Sequence, residues 1–434
     1  MTDIVQISSI LSGKLSTTHL KVRGWLHNKR SSGGILFLII RDGTGLLQCT
    51  AKRDQLGENR FREIEELPLE STVEVQGEVA ADKRAPRGHE MRISQLAVVE
   101  RAHDDFPIAK KYHGPEFILD NRHLWLRSKK MQAILRTRAT LLEEARAWLK
   151  EHGFVEVQVP TLVSAAVEGG STLFEVKYFD QKAYLTQSWQ LYAEAMIASL
   201  GKIYTVAPSF RAEKSRTRRH LTEYWHLEVE EPWLDLEGLI KLEEELVLHT
   251  CHRVADRAAE ELKDLGRDPD ELTKLTLPFP RITYDQAVEL VRKQDPDFSW
   301  GTDLGYNQEK ILTHNFKTPF FVTHYPKGVK AFYHMPDPKR QDVTLSVDLL
   351  APEGYGEVTG GGQRIHDYEQ LMKRIEEDHL DPKQYSWYIE LRKYGTVPHS
   401  GFGMGIERML AWICKLKHIR DASAFPRLIN RIYP

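Results

Sequence analysis

Between residues 19 and 100 the chain strings together five β-rich runs: HLKVRGWLHNKR, GGILFLIIRDG, GLLQCTAKRD, STVEVQGEVAA and HEMRISQLAVVE. Gly, Asp, Ser and Pro signals separate them. Short strands at this spacing narrow the choice of fold more than any other stretch of the sequence. With a helix-like FREIEEL before the fourth run, they fit a five-stranded OB-type barrel. Such barrels commonly bind single-stranded nucleic acid by stacking bases on exposed aromatics. Phe37 and Gln48 are the candidates for stacking and base-edge hydrogen bonding.

Residues 101–130 carry Pro107, Pro115 and many charges, and read as a hinge. The run MQAILRTRATLLEEARAWLKEHG then has apolar residues at helical spacing and stops at Gly153. Extended runs follow, among them GFVEVQVPTL, GKIYTVAPSF, FFVTHYP and TLSVDLL, with few helices between them. The expected division is an all-β OB-type domain over 1–104, a hinge over 105–130 and an α+β domain over 131–434. The last would be built on a mostly antiparallel sheet flanked by helices.

A chain of 434 residues with 41% hydrophobic and 28% charged side chains suits a soluble protein with a sizeable core. No apolar run reaches the roughly 18 residues of a membrane span, so no membrane partner is expected. The start MTDIVQISSI shows no secretory signal. Cys49, Cys251 and Cys414 are scattered, which suggests thiols in a reducing cytoplasm. His249 and His252 flank Cys251, but no distant second pair completes a zinc site. Net charge is −2, yet residues 1–53 carry eight basic side chains against two acidic ones, a local field suited to phosphates. There is no phosphate loop of the G-x-x-x-x-G-K-[ST] type, and GFGMG at 401–405 only superficially resembles a dinucleotide turn.

Three separated segments concentrate arginine and carboxylate. Arg211 and Glu213 end one predicted strand. Arg364 follows a triple glycine, with Glu357 and Asp348 upstream of it. Arg408 opens an amphipathic helix after Gly401, Gly403 and Gly405. Arginines on rigid strands suit bidentate recognition of carboxylate or phosphate. Glu357 and Asp348 are hard oxygen ligands suited to Mg²⁺ beside a triphosphate.

GFVEVQVP, FRAE followed by RHLTEYW, and GFGMGIER resemble motifs one, two and three of the class II aminoacyl-tRNA synthetases. EGGSTLF, QSWQLYAE and GEVTGGGQRIHD resemble the aspartate/asparagine subgroup, and FPRLINRIYP is similar to the ending of its asparagine branch. The resemblance implies ATP as a substrate with Mg²⁺, an aminoacyl-adenylate intermediate, and tRNA(Asn) and asparagine as partners. Arg211 and Glu213 would face the α-phosphate and the activated carboxylate. Arg219 and His220 would lie near the terminal phosphates. Glu223 and Tyr224 would meet the adenine, with Arg408 stacked on its other face. Glu357 with Asp348 would hold the metal, and Glu168 with Gln190 the α-ammonium. Pro160 would belong to a homodimer interface. In the barrel Phe37 and Gln48 match the anticodon-reading pair, with Arg30 beside them.

Asparagine and aspartate differ only in whether one side-chain atom donates or carries charge. Arg364 can donate to the carbonyl oxygen of either. Aspartate enzymes of the family read Q-L-Y-K-Q where this chain reads QLYAE, so Ala193 replaces a neutralising lysine. Glu228 stands where they carry Asp, and can accept from an amide while repelling an acid. The expected reaction is therefore ATP-dependent ligation of asparagine to its tRNA. The rivals are an aspartyl-tRNA synthetase, including one that charges both tRNAs, and a tRNA-independent asparagine synthetase on the same catalytic fold. The archaeal aspartate enzymes also carry Ser where Gly360 stands, which leaves the second metal ligand open.

Overall fold

The computed structural model describes residues 3–13, 15, 17–109, 111–167, 172–214 and 217–434. They form two compact units, one up to Tyr112 and one from His113 onward.

In the first unit β1 (His19–Ser32), β2 (Ile35–Arg41), β3 (Leu46–Lys52), β4 (Thr72–Ala81) and β5 (His89–Glu100) close a barrel in the order β1-β2-β3-β5-β4. Strict alternation builds it. Leu36, Leu38 and Ile40 of β2 and Leu47 and Cys49 of β3 point inward and are fully or almost fully buried, while Phe37 and Gln48 stay half-exposed outside. Helix α1 (Glu58–Glu65) buries Phe61 and Ile64 in the same core.

The second unit is built on eight further strands: β6 (Val155–Glu156), β7 (Ile203–Phe210), β8 (Glu223–Pro232), β9 (Arg281–Thr283), β10 (Phe320–Thr323), β11 (Ser346–Ala351), β12 (Gly356–Gln363) and β13 (His399–Gly405). They form one sheet in the order β9-β10-β11-β12-β13-β8-β7-β6. Its centre is antiparallel, as the long extended runs suggest, and both outermost pairs are parallel.

Two long helices cover one face. Helix α2 (Lys129–Glu151) starts where Ser128 accepts a hydrogen bond from the Met131 amide. Helix α4 (Leu236–Arg257) is capped in the same way by Asp235; the label α3 belongs to Gln190–Leu200. Met131, Ile134, Leu141, Leu239 and Leu246 pack against Leu227, Val229, Phe402 and Met404 of the sheet. Period-2 alternation then sends Tyr224, His226, Glu228 and Glu230 of β8 to the other face, which the two long helices leave free and Gln190–Leu200 covers only in part. On β13 that face carries Gly401, Gly403 and Gly405, so the floor between the strands is bare backbone.

The expected hinge over 105–130 is not a single linker. Pro115–Asp120 and Arg122–Trp125 are short helices of the second unit. Arg122 is 1% exposed and donates to the carbonyls of Arg420, Ser423 and Ala424. Charge in this segment marks an internal clasp, which composition alone cannot separate from a solvated linker.

Candidate active site

The segment FRAE crosses from the end of β7 toward the site. The Arg211 amide donates to the Thr222 carbonyl, and its guanidinium lies 5.9 Å from the Tyr224 ring. Arg211, His220, Tyr224, Glu357 and Arg408 line one pocket over the open face of the sheet. Glu223 does not line it. It occupies the opposite phase of β8 at the strand's exposed start, so of the two residues expected at the adenine only Tyr224 is in the pocket. Arg408 opens helix α6 (Ile406–Ile413; α5 is Tyr306–Thr313) and meets Glu357 at 2.8 Å. Burial alone would raise the Glu357 carboxyl, but Arg408, Lys330 and Arg219 together hold it down to about 2. Burial, helped by Arg211 and Arg408, presses His226 down to about 3, so it is a neutral ring at working pH.

Arg219 lies at the edge of this pocket, but its charge is committed. Its two terminal nitrogens bind Glu309 of α5, and it also donates to the Tyr355 carbonyl. Glu309 in turn accepts from the Glu357 amide at 2.6 Å. A basic rim of Arg218, Lys310, Arg408 and Lys417 adjoins it, the direction expected for the outer phosphates. Glu213 sits 3.8 Å from the His220 ring nitrogen. Burial and the nearby Arg408 lower the pKa of that imidazole.

Glu357 and Asp348 face each other across Gly360. A Cβ built at Gly360 would meet Asp348 Oδ1 at 3.1 Å and Glu357 Oε1 at 3.3 Å, so the missing side chain leaves a gap between two carboxylate oxygens. Two hard oxygens at one gap fit a divalent cation that keeps its water and phosphate ligands. No group of three His, Cys, Asp or Glu side chains placed to hold a metal occurs among the described residues. Lys330, an unexpected residue, now spans Asp348 with contacts of 2.7 and 2.8 Å. Burial and Glu357, against the pull of Lys330, push Asp348 up to about 7.

The neighbouring cavity encloses about 530 Å³ and is lined by Ser188, Gln190, Glu228, Arg364 and Lys330 among others. Arg364 from β12's end lies 2% exposed and binds Glu230 through two donors, at 3.1 and 3.0 Å. The same Nη2 that reaches Glu230 also donates to the Gln190 side-chain carbonyl at 2.7 Å. Glu228 accepts from the Ser188 hydroxyl at 2.5 Å and the Trp189 amide at 3.3 Å. The cavity thus brings Gln190, Glu228 and Arg364 together. Glu168 lies outside the described residues. Ala193 does not line the cavity; it packs among Val157, Trp189, Ile197 and Ile203. Glu230 could have been found from the sequence, since it is two residues beyond Glu228 on one strand. Lys330 and Glu309 carried no such signal.

In the barrel, Arg30 pairs across the strands with Phe37 and lies 4.1 Å over its ring. Gln48 donates to Glu90 at 2.7 Å on the same outer surface of β2 and β3.

Known proteins resemble the chain over both units. A family model described as tRNA synthetases class II (D, K and N) matches residues 114–429, and one for an OB-fold nucleic acid binding domain matches 20–99. The asparagine–tRNA ligase of Thermococcus gammatolerans is 49% identical over 96% of both chains. That of Thermoplasma acidophilum is 45% identical over 99% of this chain and 100% of its own. Asparaginyl-tRNA synthetase from Pyrococcus horikoshii, solved with asparaginyl-adenylate, superposes with a TM-score of 0.95 at 46% identity, covering 99% of both chains. The chain belongs to the class II tRNA synthetases, in the group of the asparagine–tRNA ligases.

Proposed function

We propose that this chain activates asparagine with ATP and transfers it to tRNA(Asn). One observation carries the choice of amino acid. The charge of Arg364 is already balanced by the buried Glu230, while Glu228 lines the same cavity. A side-chain amide can receive a hydrogen bond from Arg364 and donate toward Glu228. A side-chain carboxylate would bring a second uncompensated negative charge, which a closed site disfavours by several kcal/mol, roughly.

In the first step a carboxylate oxygen of asparagine attacks the α-phosphorus and the bond to pyrophosphate breaks. In the second a hydroxyl of the terminal tRNA adenosine attacks the acyl carbon, and AMP leaves. Arg211 holds the α-phosphate and Arg408 the adenine face opposite Tyr224. The Arg218, Arg219 and His220 side receives the outer phosphates. Mg²⁺ bound at Glu357 and Asp348 would supply charge neutralisation on the triphosphate. No side-chain nucleophile is required, because position and electrostatics lower the barrier. The outer face of the barrel, with Phe37, Gln48 and Arg30, reads the anticodon. A homodimer is supported by exposed Pro160 together with the exposed apolar Val155, Leu162 and Phe179. Among the described residues no helix is long and apolar enough to cross a membrane, and we place the enzyme in the cytoplasm.

The deciding measurement is ATP–pyrophosphate exchange with asparagine and aspartate side by side. Asparagine should drive it at least a hundredfold better, the discrimination a buried polar mismatch provides. Equal or better exchange with aspartate would overturn the assignment.

A further inference from the structure

Beneath the amino-acid cavity lies a buried carboxylate with no part in the chemistry outlined above. Glu194 is one helical turn beyond Gln190 on α3, and the two side chains share a face. It is 5% exposed, and the groups around it, Arg392, His399 and Tyr388, are buried as well. Its Oε2 accepts from Arg392 and from His399 at 3.0 Å, and the Tyr388 hydroxyl reaches both carboxylate oxygens at 2.9 Å. Its Oε1 also accepts from the Gln190 amide nitrogen at 2.9 Å. That same nitrogen donates to Glu230 at 3.1 Å, while the Gln190 oxygen accepts from Arg364.

Both hydrogens of the Gln190 amide therefore point at carboxylates and its oxygen at a guanidinium. Turning the amide over would set its oxygen against two anions and its NH₂ against a cation, so one orientation is enforced. We propose that Glu194 is a positioning residue for amino-acid selection: it locks the Gln190 amide, which in turn holds Arg364 on Glu230 and aims it into the cavity. In the QLYAE segment the alanine fills a core gap, and the glutamate after it is the residue that bears on the site. Hydrogen bonds from Arg392 and His399 anchor the lock to a region separated by about two hundred positions of sequence.

This inference rests on the site being the asparagine site, and the experiment separates the two. Wild-type enzyme is first assayed for asparagine-dependent pyrophosphate exchange, and failure there overturns both readings. E194Q is then compared in the full-length enzyme, with E194D as the charge-preserving control. E194Q should raise the KM for asparagine roughly tenfold and narrow the preference over aspartate, with the KM for ATP within twofold of wild type and kcat nearly kept. E194D should recover part of the loss. Because E194Q leaves the Arg392 charge buried and uncompensated, it can also destabilise the fold. The double variant E194L/R392M removes that charge together with the acceptor for the Gln190 amide, and should still show the raised asparagine KM, since Gln190 remains unlocked. A folded single or double variant with wild-type asparagine KM and selectivity would overturn the proposal. So would a parallel rise of the KM values for asparagine and ATP, because that is what general loosening produces.

Discussion

Glu243, on the covered side of the sheet, is a carboxyl group whose surroundings decide its protonation. It is fully buried on α4, it accepts from the Thr359 hydroxyl through Oε2, and Oε1 has no partner among the described residues. Burial pushes it up to about 8 from the 4.5 of an ordinary glutamate. Between those values the folded protein holds one more proton than the unfolded chain. The associated stability is fully present below about pH 4.5 and is lost as pH rises toward 8. Glu243→Gln keeps the shape and the Thr359 bond but removes the titration. The variant should gain on wild type as pH rises, by on the order of a few kcal/mol at pH 8. Thermal melts from pH 5 to 8 check this; identical slopes for the two proteins would refute it. Nothing in the sequence around LEEELVL sets Glu243 apart from its acidic neighbours, because its desolvation comes from strands more than a hundred positions away.

Strand β13 works by what it lacks. A Cβ at Gly401 would lie 1.9 Å from Glu230 Oε2 and 2.3 Å from the Val229 carbonyl, a clash that neither backbone nor the buried Arg364 pair can absorb. Gly401→Ala should therefore displace Glu230 and release Arg364. The expected result is at least a hundredfold loss of asparagine-dependent exchange, since breaking a buried pair costs roughly 3–5 kcal/mol. Retention of full exchange by a folded Gly401→Ala protein would show that the close approach is not needed. At this scale much was legible beforehand. The five barrel strands, the long helix after residue 128 and the strand in GKIYTVAPSF follow from periodicity and turn residues. The Arg219–Glu309 pair was not, because its members are 90 positions apart and neither lies in a patterned run that names the other. Lys330 was hidden for a related reason. It sits between a 3₁₀ turn and a short bridge, where no period dictates which way a side chain points. Several motif residues line the two cavities, but the partners that set their charge come from long-range contact.

Across the whole molecule, the two units divide their tasks. Phe37→Ala removes an outer-face ring of the barrel and leaves the core strands intact, since Leu36 and Leu38 carry the packing. It should raise the KM for tRNA by about tenfold or more, the worth of one stacked base, and leave pyrophosphate exchange unchanged. Equal damage in both assays would contradict a separation of anticodon reading from activation. Sequence alone indicated this two-part plan but misread the junction, because the charged segment after residue 113 is drawn into the larger unit through Arg122.

That clasp has a bearing on how the enzyme comes into being. Arg122 closes on carbonyls up to 302 positions further along the chain, and the Thr222 amide likewise donates to the carbonyl of Arg427 beside the motif-two loop. A nascent chain halted near residue 400 has already made every strand of the catalytic sheet through β12, yet it lacks the carbonyls that satisfy a buried guanidinium. Completion of the catalytic unit therefore waits on the segment 420–427. A product terminated before residue 420 would leave the Arg122 guanidinium without those three carbonyls, an uncompensated charge that disfavours closure of the unit.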